Sequence, residues 1–406
     1  MHIFVASILA LVLHVHPGEK INDALNSARA VYNARGEQTT ILIDPGTYRE
    51  ELTIDVPGVT LKNASKKPSI ALRNHGVECA PNAVRITWYY GHGYQYRSMG
   101  NTVNYGGSRT RLWNASVLVT APDFRAENII FENSFNLYVC DLEAADSLVD
   151  ISQSDMPWTE KERPKKVMPP RPKEIGSTEV QKKRYRERAS AISFAEGAKN
   201  AHLKNCRAVG RQDVLYGANG ATIYWEGGIL QGGVDFIFGS MAMSVNRATI
   251  VANINGEKGD KCYIAAGRSG GDQAPDSTIR SRGLLFYKCH IRLATEEELE
   301  NLTPTLSSRR GSSSLAGRSG GVLRSEVWLA RPWRWWGETV WAYTTWDEGV
   351  LNPEGWNTGL TKGKECPNSY EYKSQDKSAG RPKWVTVLQR PILPDGTKIN
   401  PKTWLK

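Results

Sequence analysis

Hydrophobic positions along this chain come in short bursts. Apolar or β-branched runs bounded by Gly, Asn and Asp recur at 40–43, 59–61, 117–120, 129–131, 191–194, 201–205, 214–216, 222–225, 234–238, 244–250, 263–266, 284–287 and 326–329. Runs of this length with such flanks predict strands. Helix-period spacing is scarce; one of the clearer stretches, around 21–31, predicts a helix near the start. The strands group into units of roughly 20–30 residues without intervening helices, the signature of a stacked solenoid rather than a sandwich. Asn133, Asn205 and Asn253 close or follow strands, where stacked amides satisfy the backbone of turns. The expected fold class is all-β, a single-stranded parallel β-helix with long loop insertions near 74–113, 151–188 and 295–325. Residues 14–406 are expected to form that solenoid.

The apolar run 3–13 is too short to span a bilayer. It reads as a first buried strand or as the remnant of a secretory signal. Composition changes the picture in three places. Of 406 residues 40% are hydrophobic, enough for one long core. The net charge of +10 is uneven: residues 161–188 hold eleven Lys or Arg against four Glu and read as an exposed, Pro-rich loop. Such a surface attracts polyanions, whether nucleic acid, acidic polysaccharide or anionic membrane, or is a solvated loop that binds nothing; no helix-turn-helix, zinc-finger or RNP pattern accompanies it, which argues against nucleic acid. Six widely spaced cysteines without C-x-x-C argue against a zinc site and leave free thiols and disulfides both open. His14-Val-His16 offers two ligands without a third and reads better as ordinary strand.

Two segments carry candidate chemistry: GRQDVLY at 210–216 and GVDFIFG at 233–239. Asp235 lies inside an apolar run, where a lone buried carboxylate costs several kcal/mol or takes a proton. It stands 235 − 213 = 22 residues after Asp213, about one solenoid coil. That spacing places the two carboxylates side by side on neighbouring coils, where one pKa rises and the other falls. A cation must choose which stays charged, and Arg331, in LARPW at 329–333, is the candidate.

These residues resemble the pectin methylesterases (carbohydrate esterase family 8). GRQDVLY is similar to that family's GxQDTLY, GGVDFIFG to GTVDFIFG and LARPW to LGRPW. GTYRE at 46–50, YIAAGR at 263–268, NPEGW at 352–356 and GRPKW at 380–384 match further family segments in order, so the resemblance runs from residue 46 to 384. It implies a right-handed β-helix that removes methyl esters from homogalacturonan, giving pectate and methanol. The implied catalytic set is Asp235 as nucleophile, Asp213 as acid and then base, Gln212 as oxyanion donor and Arg331 as the partner that keeps Asp235 ionised. The implied substrate-binding set is Tyr216, Phe238 and Trp333, with Val234 beside them and Ser190 nearby. No metal and no cofactor are expected. The resemblance implies a monomer acting on a polysaccharide, with no nucleic-acid or membrane partner, secreted or held at the cell envelope.

One departure bears on catalysis. Where the family usually carries a Gln, counting back from Asp213 gives Ser190, so one oxyanion donor is missing or replaced by a hydroxyl. Three other readings compete. Two G-x-S-x-G matches, at 267–271 and 317–321, lack the helix that a nucleophile elbow needs. A pectate-lyase-like enzyme would hold calcium with more acidic residues than this pair. A catalytically impaired pectin-binding protein gains nothing from a buried acidic pair.

Overall fold

The computed structural model describes residues 11–92, 94–100, 111–149, 170–255, 257, 259–270, 282–300, 326–374 and 380–406. The remainder of the apolar run 3–13, the basic stretch 161–169, most of 295–325 and the second G-x-S-x-G match lie outside the described residues.

Three long parallel sheets carry the chain, with eleven, eight and seven strands. Each coil gives one strand to each sheet. One coil runs through Ala201–Lys204, Arg207–Val209 and Leu215–Gly217, and the next through Thr222–Glu226, Ile229–Gly232 and Val234–Gly239. Ala201 pairs with Ile223, Arg207 with Ile229 and Leu215 with Ile237, a constant offset of 22 residues. This is the parallel β-helix expected from the strand pattern.

The core follows from the pleat. In Thr39–Ile43 and Thr222–Glu226 buried and less buried residues alternate, as a strand with one inward face requires. In-register pairing then stacks the inward residues into columns. Ile41, Leu61, Ala126, Leu203, Trp225, Val245, Phe286 and Trp341 form one such column across eight coils, and all are buried. The members differ in size from Ala126 to Trp225, and close packing requires their neighbours to fill the space each leaves. The Phe286 and Trp341 rings stack at 3.9 Å. Truncating Trp225 to Ala is expected to cost about 3–5 kcal/mol.

The early helical pattern is the helix Ile21–Arg35. Ile21, Leu25 and Ala28 face the solenoid and join its core, closing the end of the column against water. Gly36 ends the helix in the left-handed conformation at φ 68°, which a residue without Cβ adopts at little cost. The helix start is capped from a distance: the two carboxylate oxygens of Glu50 accept from the Ile21 and Asn22 N–H groups at 2.8 and 3.1 Å. The GTYRE segment therefore works in the structure as a helix cap.

Several expectations are corrected. The run 244–250 is two strands, Ala242–Asn246 and Thr249–Ala252, parted by a corner at Arg247 with φ 57°. The stretch 74–113 does not wholly leave the solenoid, since Val84–Trp88 pairs with Ile129–Asn133 and with Gly46–Arg49. Its tyrosines Tyr89, Tyr90, Tyr94 and Tyr96 pack with Phe135, Leu137 and Tyr138 into a second, external core. The described part of the basic insert is a solvated loop only in part: Lys173, Lys183, Arg184 and Arg188 are exposed, but other cations turn inward. Arg171 is buried against Glu143 at 2.8 Å and lies 3.8 Å over the Phe135 ring, while Arg186 pairs with buried Asp260. Folding those cations inward onto carboxylates satisfies charge that the sequence pattern alone assigns to water. All six cysteines are free thiols. The asparagines do serve turns: Asn133 donates to the carbonyls of Tyr90, Asn114 and Ser190, and Asn253 to that of Gly210. Among the described residues no helix is long and apolar enough to cross a membrane.

Candidate active site

The third sheet carries the candidate chemistry. Gln212 bridges Val234 on the next coil, and the Asp213 N–H donates to the Val234 carbonyl at 3.0 Å. Asp213 and Asp235 therefore occupy equivalent places on adjacent coils. Both adopt left-handed backbone, φ 58° and 50°. An L-residue other than Gly adopts that conformation at a cost of order 1–3 kcal/mol, and such strain concentrates at functional sites. Its local cause at Asp235 is a bulge. Val234 pairs with Tyr263 and Ile237 with Ala265, so three steps oppose two. The bulge turns Phe236 into the core and re-aims the carboxylate.

The two aspartates differ in their partners. Arg331 grips Asp235 with two hydrogen bonds, Nε to Oδ1 at 3.1 Å and Nη2 to Oδ2. The guanidinium is itself held: it lies 4.0 Å over the Tyr263 ring, which stacks on Trp328, and the Arg331 N–H donates to the Ala265 carbonyl. Asp213 has a looser cation, Arg188, at 3.5 Å and partly exposed. Burial pushes the Asp213 carboxyl up to about 8, against the pull of Arg188 and with a further push from Asp235. Burial also raises Asp235, but Arg331 opposes it by charge and by hydrogen bond. Asp235 is thus the member of the pair that ionises first.

A cleft of about 110 Å³ opens over the pair, lined by Trp113, Arg188, Gln212, Asp213, Asp235, Phe238, Ala266, Trp333 and Leu360. The aromatic wall is continuous, with Trp113 5.5 Å from Phe238 and 6.3 Å from Trp333, and Tyr216 5.0 Å from Phe238. Arg268 lies over Trp333 at 4.0 Å.

Of the residues singled out from the sequence, Asp235, Asp213, Gln212, Phe238 and Trp333 line this cleft and Arg331 braces it. Tyr216 backs the aromatic wall from a buried position. Val234 turns instead to Tyr263 and Trp328. Ser190 does not face the cleft. It is fully buried, and its hydroxyl donates to the Asp213 carbonyl at 2.6 Å, fixing the backbone beneath the carboxylate. Ser269, in the first G-x-S-x-G match, is buried and accepts from the Glu338 N–H, and no helix follows it among the described residues.

Two further cleft residues, Arg188 and Trp113, carry no motif in the sequence. Arg188 lies two residues before Ser190 in the basic insert and bridges Gln212. Trp113 sits in a turn whose residues Leu112, Trp113 and Asn114 all have positive φ. That turn is tied down by Ser193, which donates to the Leu112 carbonyl, and by Asn133, which donates to that of Asn114. The only signal for either residue was its type: a cation or an indole beside a carboxylate pair.

Fold and cleft together define a parallel β-helix with a paired-carboxylate site on one outer face. Residues 179–311 match the family model described as Pectinesterase. "Probable pectinesterase A" of Aspergillus niger is 26% identical over 222 residues, 54% of this chain and 55% of that protein. "Pectinesterase 2.2" of Solanum lycopersicum is 25% identical over 41% of this chain and 25% of its own length. The chain spans about half the length of the first of these relatives and a quarter of the second. Among solved structures, pectin methylesterase PemA from Erwinia chrysanthemi superposes with a TM-score of 0.57 at 19% identity, over 95% of this chain and 94% of that one. The carrot pectin methylesterase gives 0.56 at 18%, over 94% and 88%. In sequence this chain is a relative of the pectinesterases, and it shares the fold of the pectin methylesterases.

Proposed function

We propose that this chain is a pectin methylesterase, hydrolysing methyl esters of homogalacturonan to pectate and methanol through a covalent intermediate on Asp235. The observation that carries the reading is the asymmetry of the pair: one aspartate gripped by Arg331, its neighbour buried with a raised pKa, both under one cleft.

The Asp235 carboxylate attacks the ester carbonyl carbon, and the carbonyl electrons move onto oxygen. Gln212 donates to that oxyanion, an effect worth about 3 kcal/mol for one well-placed donor. Arg188, which also lines the cleft, serves as a further donor to the oxyanion in place of Ser190, whose hydroxyl is turned inward. Collapse of the tetrahedral species breaks the bond to methoxide, which takes the Asp213 proton and leaves as methanol. Asp213, now a carboxylate, removes a proton from water. The water attacks the acyl-enzyme, releasing the galacturonate carboxyl group and restoring both aspartates. Phe238, Trp333 and Trp113 stack on sugar rings, and the net charge of +10 draws the polyanionic chain to the surface. The reading places the protein in the secreted or cell-envelope compartment, working as a monomer.

The test is methanol release from highly methylated pectin. Wild type should release methanol and Asp235→Ala should not. A folded wild type that binds pectin and releases none would replace the esterase with a binding protein, and an unsaturated product would replace it with a lyase.

A further inference from the structure

At the far end of the solenoid from the last coils, three side chains converge that the esterase reading does not use. His14 and His16 stand two residues apart on the strand Leu11–Val15 and the residue following it, so their side chains share the outer face, while Val15 between them points into the core. This strand is the edge of the eleven-stranded sheet and pairs in parallel with Thr39–Ile43. The pairing brings Asp44, just past the second strand, beside both imidazoles; its own N–H donates to the Val15 carbonyl at 3.0 Å. His14 Nε2 lies 2.8 Å from Asp44 Oδ1 and His16 Nδ1 lies 3.0 Å from Asp44 Oδ2. The two rings are 4.2 Å apart. One donor atom from each of the three residues falls within 4.8 Å of the others. Glu19 stands next to them, its carboxylate accepting from the His16 N–H at 2.7 Å.

We propose that His14, His16 and Asp44 bind a divalent cation of the zinc type, which clasps the first strand of the solenoid to the second coil. Two imidazole nitrogens and one carboxylate oxygen suit Zn²⁺ and its first-row neighbours, whereas Ca²⁺ and Mg²⁺ prefer all-oxygen sets. Donors in a tetrahedral zinc site stand about 3.3 Å apart; the carboxylate oxygens already lie 2.8 and 3.0 Å from the imidazole nitrogens, and rotation of these open side chains brings the three donor atoms, now within 4.8 Å of one another, to that spacing. All three side chains are open enough for the ion to enter from solvent, with relative exposures of 41%, 56% and 26%. The fourth position is left to water or to Glu19. An edge strand holds its sheet by one ladder only, and an ion bound only in the folded state adds stability there. The proposal is independent of the reaction at the other site.

The test is calorimetric titration of the chelator-treated full chain with zinc chloride at neutral pH, beside His14→Ala and Asp44→Asn, with thermal unfolding of each protein with and without zinc. Exposed positions make these variants mild for folding, and circular dichroism checks it. The expected result is one-to-one binding by wild type, weakened at least about tenfold in each variant, with a zinc-dependent rise in unfolding temperature in wild type alone. Calcium should not compete. No one-to-one binding by wild type would overturn the proposal, as would equal binding by wild type and variants, or displacement by calcium.

Discussion

The coil ending in Leu215–Gly217 and the coil above it, ending in Val234–Gly239, are nearly the same structure. Their strands are in register at a 22-residue offset, and each presents an aspartate in left-handed backbone at the same corner. They differ in what leans on that aspartate. Arg331 arrives from two coils further on and fixes Asp235 as an ion pair. Asp213 meets a looser, partly exposed guanidinium, Arg188, and burial pushes its carboxyl up to about 8. Repetition supplies two identical carboxylates; distant neighbours give them different partners.

The difference can be broken most severely at Asp235. Asp235→Asn keeps shape and removes the proposed nucleophile, so kcat should fall by about 10⁴-fold or more, read as methanol release. Arg331→Lys keeps the charge but loses the two-pronged grip, and a loss of about 10²-fold in kcat/KM is expected. Gln212→Ala should lower kcat by about 10²-fold while KM changes little, because the oxyanion exists only beyond the ground state.

The two aspartates should also differ in when they lose their protons. Activity should be bell-shaped in pH. The acid limb reports protonation of Asp235, and the alkaline limb, near 8, reports loss of the Asp213 proton. Arg188→Ala removes the cation that pulls Asp213 down, so the alkaline limb should move to higher pH. The smallest effect is on stability. Folded Asp213 holds a proton that the unfolded chain has already lost above the ordinary carboxylate range, so this residue makes stability fall as pH rises toward about 8. Asp213→Asn should abolish that slope and gain on the order of 2 kcal/mol at neutral pH in denaturant titrations.

The repeat was legible because a β-helix writes its geometry into spacing. The 22-residue interval between Asp213 and Asp235 is the length of one coil, and the apolar bursts are the inward faces of strands. Properties that depend on what a side chain meets across the fold were not legible. The basic insert reads as solvated charge, yet Arg171 finds Glu143, and Arg188 finds the cleft. Trp113 joins the aromatic wall through a turn of three consecutive positive-φ residues, for which no residue type in the sequence is diagnostic. The position of Ser190 was legible but its direction was not; pointing at the Asp213 carbonyl instead of the cleft, it is a backbone prop. His14 and His16 looked like two ligands without a third until parallel pairing set Asp44 beside them.

The division of labour between the two aspartates is tested most directly by changing the leaving group. Asp213→Asn and Asp235→Asn would be assayed on a methyl ester and on an aryl ester of galacturonate, whose phenolate leaves without needing a proton. The aryl ester should restore acyl-enzyme formation in Asp213→Asn, seen as a burst of phenolate, and restore nothing in Asp235→Asn. A burst from Asp235→Asn, or none from a folded Asp213→Asn, would contradict it.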